Sequence, residues 1–478
     1  MTLMGESNIV ARGALATALL SAALAVGAGD ASAATGFAPP QRLASPWPSA
    51  DLPQAAVAQT GRTAVLWRSY GLGKGDKFGY VAAIGDRPDA LGTPKVLPAG
   101  RRAAETVGQA ALLAFPDGGF AACFGSDPRR GTAVAGCSFA PPSGEFGPLR
   151  AFERVSWTQR PRFSAVARAD GRVLVVTSRV TKKGRALRSL LLSPSGGRTA
   201  PQLLGPSNRY ETPGLAALDD GTVAVAWPTP GVPGEDNVNK PLVRVMPAGS
   251  DAFGPAVDLA PGRHASYGIT LRGGPQLTAS FTQFDNATSV VLRRPDGSFA
   301  EPQSLPRPAG GFLSGSTSIG PDGEPFTVVQ ADEVADTDCS NVTASVVGTG
   351  ALAPGDSASF ATRLSKKGQI AQLGGSAVLA DGTRIVLWGN AYDAELHSRL
   401  QVAVQDPGAS AFSPSQVLPM PAYYRDYALA SGGGDALIVW TTRKGWESPS
   451  EVVVSALRRS GPLAPQAALP SKPGTGCA

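Results

Sequence analysis

Histidine and cysteine are scarce in this chain of 478 residues, which has two of the former and four of the latter. The cysteines form no Cys-x-x-C motif, and two histidines are too few for the usual zinc ligand sets. The sequence also has no Gly-x-Ser-x-Gly elbow, phosphate-binding loop or dinucleotide fingerprint. We therefore predict neither a metal nor any other cofactor.

Long apolar runs and helical patterns are missing beyond the first thirty residues. No later stretch reaches the length of a membrane-spanning helix, so we expect no membrane span. No later window keeps apolar residues at i, i+3, i+4 and i+7, and 58 Gly and 42 Pro would interrupt helices throughout. An all-α fold is excluded, whereas the recurring Val, Leu and Ile runs exclude general disorder.

The first 33 residues are typical of a secretory signal peptide. Arg12 precedes an apolar stretch from Ala14 to Ala28, and small residues follow up to Ala33. We expect a secreted, extracellular, monomeric protein with one domain over residues 34–478. The formal net charge of +6 comes from scattered cations, as in the Arg-rich proteins of high-GC bacteria, so we do not expect nucleic acid as a partner.

One pattern repeats along the chain: an apolar-alternating segment, a turn centred on Gly, and a second alternating segment that often ends in Trp. The segments Leu215 to Trp227 and Ser376 to Trp388 are the clearest copies. The turn glycines are Gly61, Gly118, Gly171, Gly221, Gly273, Gly323, Gly382 and Gly434, spaced by about 50 to 60 residues. Asp-Gly between alternating segments predicts a β-hairpin with a two-residue type I′ turn.

A further strand and a Pro-bearing edge segment follow each hairpin, which makes four strands per unit. Such units at this spacing predict an all-β protein, a β-propeller of about eight blades with seven as the alternative. There are eight hairpins but nine edge segments, including Pro40 to Leu43 and Pro465 to Leu469. One terminus should therefore complete a blade begun by the other, and the sequence leaves open which one.

In shape, this repeat resembles the secreted propellers of the sialidase-like group over nearly all of residues 34–478. The Asp-box of sialidases, Ser-x-Asp-x-Gly-x-Thr-Trp, is absent, because Asp and Gly are adjacent here. The resemblance implies a glycoside hydrolase that acts on an acidic glycan with a Tyr nucleophile and an assisting acid. On that basis the weak catalytic candidates are Tyr424, Glu211 and Asp426.

Ligand-binding residues are expected on one face of the propeller. The hairpin turns lie on one side of the ring, which we call the turn face, and the longer connections lie on the opposite side, the loop face. Arginines recur in the blade-to-blade connections of the loop face, and guanidinium groups bind carboxylates and sulfates well. The binding candidates are Arg101, Arg162, Arg209, Arg263, Arg425, Tyr423 and Trp446.

The four cysteines are expected to form disulfides after export. Cys123 and Cys137 lie on successive strands of one blade, within reach of a bridge, and Cys339 and Cys477 would both lie on the loop face and fasten the C-terminal tail. The Trp residues at the ends of second strands are interpreted as packing between blades. The leading functional hypothesis is a non-catalytic protein that binds an acidic glycan or an extracellular protein, and the alternative is the sialidase-like hydrolase.

Overall fold

The computed structural model describes residues 36–43, 49–71, 78–98, 110–129, 132–156, 162–181, 184–207, 212–230, 239–262, 265–283, 288–305, 313–321, 323, 325–335, 342–350, 360–366, 371–391, 397–423, 426–443 and 449–457. The chain divides into two units, Met1–Gly36 and Phe37–Ala478, and every described strand lies in the second. All regular secondary structure in these ranges is β. They contain no helix of the length and apolarity that a membrane crossing requires.

Thirty-two β-strands follow one another along the described chain. In order they are β1 Gln41–Leu43, β2 Ser49–Val57, β3 Thr63–Tyr70, β4 Phe78–Gly85, β5 Lys95–Val96, β6 Ala110–Ala114, β7 Phe120–Arg129, β8 Thr132–Ala140, β9 Arg150–Ser156, β10 Arg162–Ala167, β11 Val173–Thr181, β12 Gly184–Leu192, β13 Gln202–Ser207, β14 Gly214–Ala217, β15 Val223–Pro228, β16 Pro241–Met246, β17 Val257–Asp258, β18 Ala265–Arg272, β19 Thr278–Gln283, β20 Thr288–Leu292, β21 Gln303–Ser304, β22 Leu313–Ile319, β23 Pro325–Ala335, β24 Val342–Gly350, β25 Phe360–Arg363, β26 Ala371–Val378, β27 Arg384–Ala391, β28 His397–Gln405, β29 Gln416–Tyr423, β30 Tyr427–Gly432, β31 Asp435–Arg443 and β32 Ser450–Leu457.

The strands form eight antiparallel four-stranded sheets, which are the blades of a β-propeller. Blade 1 contains β2 to β5, blades 2 to 7 take four strands each in chain order, and blade 8 contains β30, β31, β32 and β1. The first strand of each blade contacts the first strand of the next, and β30 of blade 8 contacts β2 of blade 1. The ring is therefore closed, the prediction of eight blades is confirmed, and the alternative of seven is wrong.

The N-terminal segment of the second unit closes the ring. Strand β1 pairs with β32, with Gln41 opposite Val454 and Leu43 opposite Val452. Phe37, only 4% exposed, packs in the core between blades 7 and 8. Its amide N–H donates to Gln416 Oε1 and its carbonyl accepts from Gln416 Nε2, both at 2.9 Å. The edge segment before the first hairpin thus completes the last blade, which settles the choice of terminus.

The Asp-Gly hairpin turns of blades 2, 3, 4 and 7 differ from the predicted type I′ turns. In blade 2 the Gly118 N–H donates to the Phe115 carbonyl at 3.1 Å, and the Phe115 N–H donates to the Gly119 carbonyl at 2.8 Å, so three residues separate the paired ends. Gly118 has φ +90°, whereas Asp117 is not among the residues with positive φ. A type I′ turn needs positive φ at both central residues, so that prediction is wrong for these copies; a three-residue turn closed by a left-handed glycine replaces it. In blade 8 the prediction holds, because Gly432 pairs with Asp435 and both Gly433 and Gly434 have positive φ.

Aspartate has another role in these turns. The Oδ1 atom of Asp117, Asp170, Asp220 and Asp381 accepts a hydrogen bond from the backbone N–H two residues further on, at 2.7 to 3.0 Å. This side-chain acceptor satisfies a turn N–H that the hairpin ladder leaves unpaired. Aspartate is therefore favoured before the glycine because of its carboxylate, while the glycine supplies the left-handed backbone.

The core lies between blades. Trp67, Trp227, Trp388 and Trp440 lie on the second strands of their blades, one to three residues before the strand ends, and each is at most 1% exposed. Each indole packs in an apolar cluster built from its own blade and the preceding one. Their interpretation as inter-blade packing is confirmed, and the same contacts bring the loop-face ends of adjacent blades together.

Candidate functional site

Most of the predicted site residues lie outside the described residues: Arg101, Arg209, Glu211, Arg263, Tyr424, Arg425 and Trp446, together with Cys339 and Cys477. Arg162 begins β10 at the loop face and is partly buried. Tyr423 ends β29, where its backbone is opposite His397. Convergence of the predicted arginines on one ligand therefore stays a prediction, and Asp426 is the catalytic candidate whose surroundings can be described.

Asp426 lies at the loop-face end of the innermost strand of blade 8. It directly precedes β30, and its partner on the neighbouring strand β31 is Thr441. The Thr441 N–H donates to the Asp426 carbonyl at 2.9 Å, and the Thr441 hydroxyl donates to Asp426 Oδ2 at 3.3 Å. Thr441 is 1% exposed, whereas Asp426 keeps part of its surface in contact with solvent. Thr441 therefore holds both the backbone and the carboxyl group of Asp426, a residue of intermediate burial.

A second carboxylate lies on the adjacent blade. Asp51 is near the start of β2, the innermost strand of blade 1, and β2 contacts both β30 and β31. Arg68 of β3 donates two hydrogen bonds to the Asp51 carboxylate, from Nε to Oδ1 at 2.8 Å and from Nη2 to Oδ2. The two side chains are 17% and 18% exposed. The seam between blades 8 and 1 thus carries two aspartates with different partners.

These surroundings change the acidity of Asp426. Burial, and then the negative charge of Asp51, raise the pKa of Asp426 from 3.8 to about 6, against the opposing effects of the Thr441 hydroxyl and the Arg443 and Arg68 charges. Arg68 itself has a raised pKa, because its hydrogen bond to Asp51 and the charge of Asp51 outweigh the effect of burial. Asp426 therefore carries a proton in a part of the pH range where an ordinary aspartate is ionised.

The backbone of blade 1 is attached to blade 8 beside this pair. The Ser450 hydroxyl of β32 accepts from the Ala50 N–H at 2.5 Å and donates to the Ala50 carbonyl at 2.7 Å. On the other side, the Ser69 hydroxyl donates to the Ser49 carbonyl at 3.0 Å. The position of Asp51 is consequently fixed by contacts from both neighbouring strands.

Arginines on the turn face serve a different purpose. Arg62 donates to the carbonyls of Gly118, Pro141 and Gly144 in blade 2, at 2.8 to 2.9 Å. Arg172 of blade 3 grips both oxygens of Asp251 in blade 4, at 2.6 and 2.9 Å. These cations join adjacent blades, and their donors are directed at protein acceptors rather than at a ligand.

One further prediction concerns the disulfides. Cys123 on β7 and Cys137 on β8 are opposite each other and form a disulfide, and both are fully buried. That pairing is confirmed, whereas the pairing of Cys339 with Cys477 stays a prediction. In the ranges described above, no three His, Cys, Asp or Glu residues are grouped in a way that could hold a metal ion.

Sequence reasoning missed Asp51 and Arg68. They are 17 positions apart in the least regular copy of the repeat, and neither belongs to an arginine-rich connection. Their proximity to Asp426 follows from the closure of the ring, which places the first blade beside the last. Asp426 and Asp51 occupy equivalent places at the starts of innermost strands, and an alignment of the eight repeats is the signal that could have paired them.

The arrangement offers one group for acid chemistry. A carboxyl group with a pKa raised to about 6 and part of its surface exposed can act as a proton donor, whereas both oxygens of Asp51 are engaged by Arg68. Fold and site together define a class of protein: an eight-bladed β-propeller with a partly buried aspartate, Asp426, at the loop-face end of an innermost strand.

Comparison with known proteins gives likeness in fold alone. No known protein family and no curated protein matches the sequence. Among solved structures, an ulvan lyase bound to a GlcA-Rha3S unit has a TM-score of 0.46 and 9% identity, covering 70% of this chain and 89% of its own. An arabinanase from Penicillium chrysogenum complexed with arabinobiose has a TM-score of 0.39 and 13% identity, covering 62% and 92%.

A sialidase is also among the similar structures. The Hadza microbial sialidase Hz136 has a TM-score of 0.33 and 11% identity, covering 69% of this chain and 73% of its own. At such identities and scores, none of these proteins assigns a family or an activity to this chain.

Proposed function

We propose that this protein is a secreted, carbohydrate-active β-propeller that cleaves an acidic glycan at its loop face, with Asp426 as the proton donor. The single observation that carries the proposal is the environment of Asp426: partly exposed at the axis, held by Thr441, and with a pKa raised to about 6 beside the ion-paired Asp51. A general acid is most effective when its pKa lies near the working pH.

In the proposed reaction, Asp426 donates its proton to the glycosidic oxygen as the bond to the sugar breaks. Positive charge then develops on the sugar ring, and water adds to it; the proton that the water loses returns to the Asp426 carboxylate, which completes the hydrolysis. The arginines that the sequence places on the loop face are the reason to expect a carboxylate or sulfate on the glycan. Residues 1–33 as a signal peptide would account for delivery to an extracellular substrate.

The test is a screen of the purified protein against aryl-glycosides and acidic polysaccharides, with reducing ends as the readout. We expect turnover that falls by about 100-fold or more in Asp426→Asn, because general acid catalysis contributes that much. Glu153→Gln is the matched control. Glu153 is also a partly buried carboxyl group whose pKa is raised by burial, but it lies on β9, the outermost strand of blade 2.

The outcomes separate the two functional hypotheses. Loss of turnover in Asp426→Asn but not in Glu153→Gln supports the hydrolase. Saturable binding of an acidic glycan with no turnover under any condition contradicts it and leaves the non-catalytic binding protein. N-terminal sequencing of the exported protein, with Ala34 as the expected first residue, tests the secretion component separately.

A further inference from the structure

The backbone beside Asp51 is distorted. The pairing of β2 with β3 jumps from Asp51 opposite Arg68 to Gln54 opposite Leu66, which marks a bulge. Within the bulge Leu52 has φ +50°, and it is the one non-glycine residue with positive φ in the described part of the chain. A leucine in the left-handed region is unfavourable and persists only where the surroundings enforce it, which is most often at functional sites.

The surroundings of the bulge do enforce it. Ser450 holds Ala50 from blade 8 and Ser69 holds Ser49 from β3, so the two residues before Asp51 are fixed. Beyond them, the fork of Arg68 engages both oxygens of Asp51. A carboxylate bound in this way cannot turn toward a substrate without losing both hydrogen bonds. Its fixed negative charge nevertheless acts on Asp426 across the seam.

We propose that Asp51 is a positioning residue for Asp426: the bulge of β2 and the fork of Arg68 hold its carboxylate in one place at the seam where β2 contacts β30 and β31. This inference rests on the proposed function for its use, because a proton donor must arrive at the substrate with its proton. Asp51 itself neither donates that proton nor contacts the reacting bond.

Three charged groups of the described chain act on Asp426 from the elements around it. Asp51 on β2 favours the protonated form, and Arg68 on β3 and Arg443 on β31 favour the ionised form. The Asp51 carboxylate and the Arg68 guanidinium form one ion pair, so removing either member leaves the other charge uncompensated beside Asp426. The two removals should therefore have opposite effects on Asp426.

The experiment is a pH titration of the Asp426 carboxyl group, monitored by NMR of protein labelled with ¹³C at aspartate carboxyls. The resonance of Asp426 is assigned by its loss in Asp426→Asn. We expect the midpoint near pH 6 in the unmodified protein to fall by about one unit in Asp51→Asn. It should rise by a comparable amount in Arg68→Gln, because Asp51 then acts without its partner. Asp51→Glu keeps the negative charge, so the titration midpoint of Asp426 should stay close to that of the unmodified protein.

Asp251→Asn is the matched control, because Asp251 is gripped by Arg172 on the turn face just as Asp51 is gripped by Arg68. We expect no change in the Asp426 midpoint for this variant. Thermal melting of every variant, at one pH, shows whether it is folded. If Asp51→Asn does not fold, Arg68→Gln still gives a signed prediction.

The outcomes distinguish this inference from the proposed function. Opposite shifts in the two variants support the positioning role, even if no glycan is cleaved. A midpoint that stays constant in both, or moves in the same direction in both, overturns it, even if the protein proves to be a hydrolase. Where turnover is found, the alkaline limb of its pH profile should move with the NMR midpoint in each variant.

Discussion

The two faces of the ring use the same kinds of side chain for opposite purposes. On the turn face, carboxylates and guanidinium groups satisfy one another or nearby backbone groups, as in the turn aspartates and the grip of Arg172 on Asp251. On the loop face, Asp426 is partly buried, its carboxylate accepts from the Thr441 hydroxyl, and a second carboxylate lies nearby. On the turn face, charged side chains that join blades are paired with groups of opposite charge or with backbone carbonyls. On the loop face, where we place the chemistry, the carboxylate of Asp426 is bonded to a neutral hydroxyl.

The difference follows from what each face has to do. The turn face repeats one compact hairpin, so its polar groups have the same partners in several blades. The loop face contains the ring closure, where the start of β2 is held by blade 8 and distorted at Leu52. Backbone strain at Leu52 and the raised pKa of Asp426 thus occur together on the loop face, and such combinations are common at functional sites.

The largest expected effect concerns close packing on the turn face. In Gly273→Ala the new Cβ atom would lie 1.7 Å from the backbone carbonyl oxygen of Ala217, so two innermost strands would have to separate. We expect a loss of about 4 kcal/mol or more in the free energy of unfolding, measured by denaturant titration. Gly171→Ala is the control: it has positive φ but open space around the Cβ atom, and should lose about 1 kcal/mol. Equal losses would refute the packing argument.

Replacing the loop-face acid should increase stability. Because the pKa of Asp426 is raised to about 6 in the folded protein, folding favours its protonated form. The folded state therefore loses stability as the pH rises from about 4, the unfolded pKa, through about 6. Asp426→Asn lacks this penalty and keeps an acceptor for Thr441, so we expect it to gain up to about 3 kcal/mol at pH 7 to 8.

Measurement of unfolding at several pH values checks this prediction. The difference between the two proteins should approach zero near pH 4 and be full above pH 6 to 7. A difference that is independent of pH would show that Asp426 does not titrate as the structure indicates.

A smaller effect distinguishes two buried tryptophans. Trp227 Nε1 donates to the Pro206 carbonyl at 3.0 Å, whereas the buried Nε1 of Trp388 has no hydrogen-bond partner among the residues that the structure describes. Both Phe substitutions remove similar volume, but only Trp227→Phe breaks a hydrogen bond and leaves a carbonyl without its donor. We expect Trp227→Phe to be about 1 to 2 kcal/mol more destabilising than Trp388→Phe in chemical denaturation. The reverse order would contradict the assignment of partners.

The smallest effect is expected for an exposed ion pair of the turn face. Asp251 is 49% exposed and is gripped by Arg172. Surface pairs contribute little because water and salt screen them, so Asp251→Asn should change the free energy of unfolding by less than about 1 kcal/mol. Unfolding at low and high salt measures it. A loss of several kcal/mol would mean that the turn-face ion pairs, and not the apolar cores, hold adjacent blades together.

Much of the fold could be predicted because its signals are local. The strand alternation and the turn glycines mark the blades in order, and Gly118, Gly171, Gly221 and Gly382 all have the expected positive φ. In blade 5 the prediction is one residue off, since Gly274 rather than Gly273 has positive φ. The turn type was right at Gly433-Gly434 but wrong for the Asp-Gly copies, because Asp-Gly fits both a two-residue turn and a longer one, and the choice depends on which strand residues pair.

The site could be predicted only in part. Asp426 was proposed because it follows an arginine- and tyrosine-rich connection, and its catalytic role stays a prediction. Asp51 and Arg68 have no such signal around them. Their role depends on a contact between the first and last blades, and residues that far apart in the chain become neighbours only through closure of the ring.

The sequence by itself determined the blade as a unit, since alternation, turn glycines and edge prolines act over a few residues and are the same in any context. The tertiary structure alone decided that β1 closes the eighth blade, that the start of β2 is bent, and that two aspartates share one seam. The physical reason is that desolvation and charge repulsion depend on which groups are brought together in space, and in this protein that is decided by the join between the two ends of the ring.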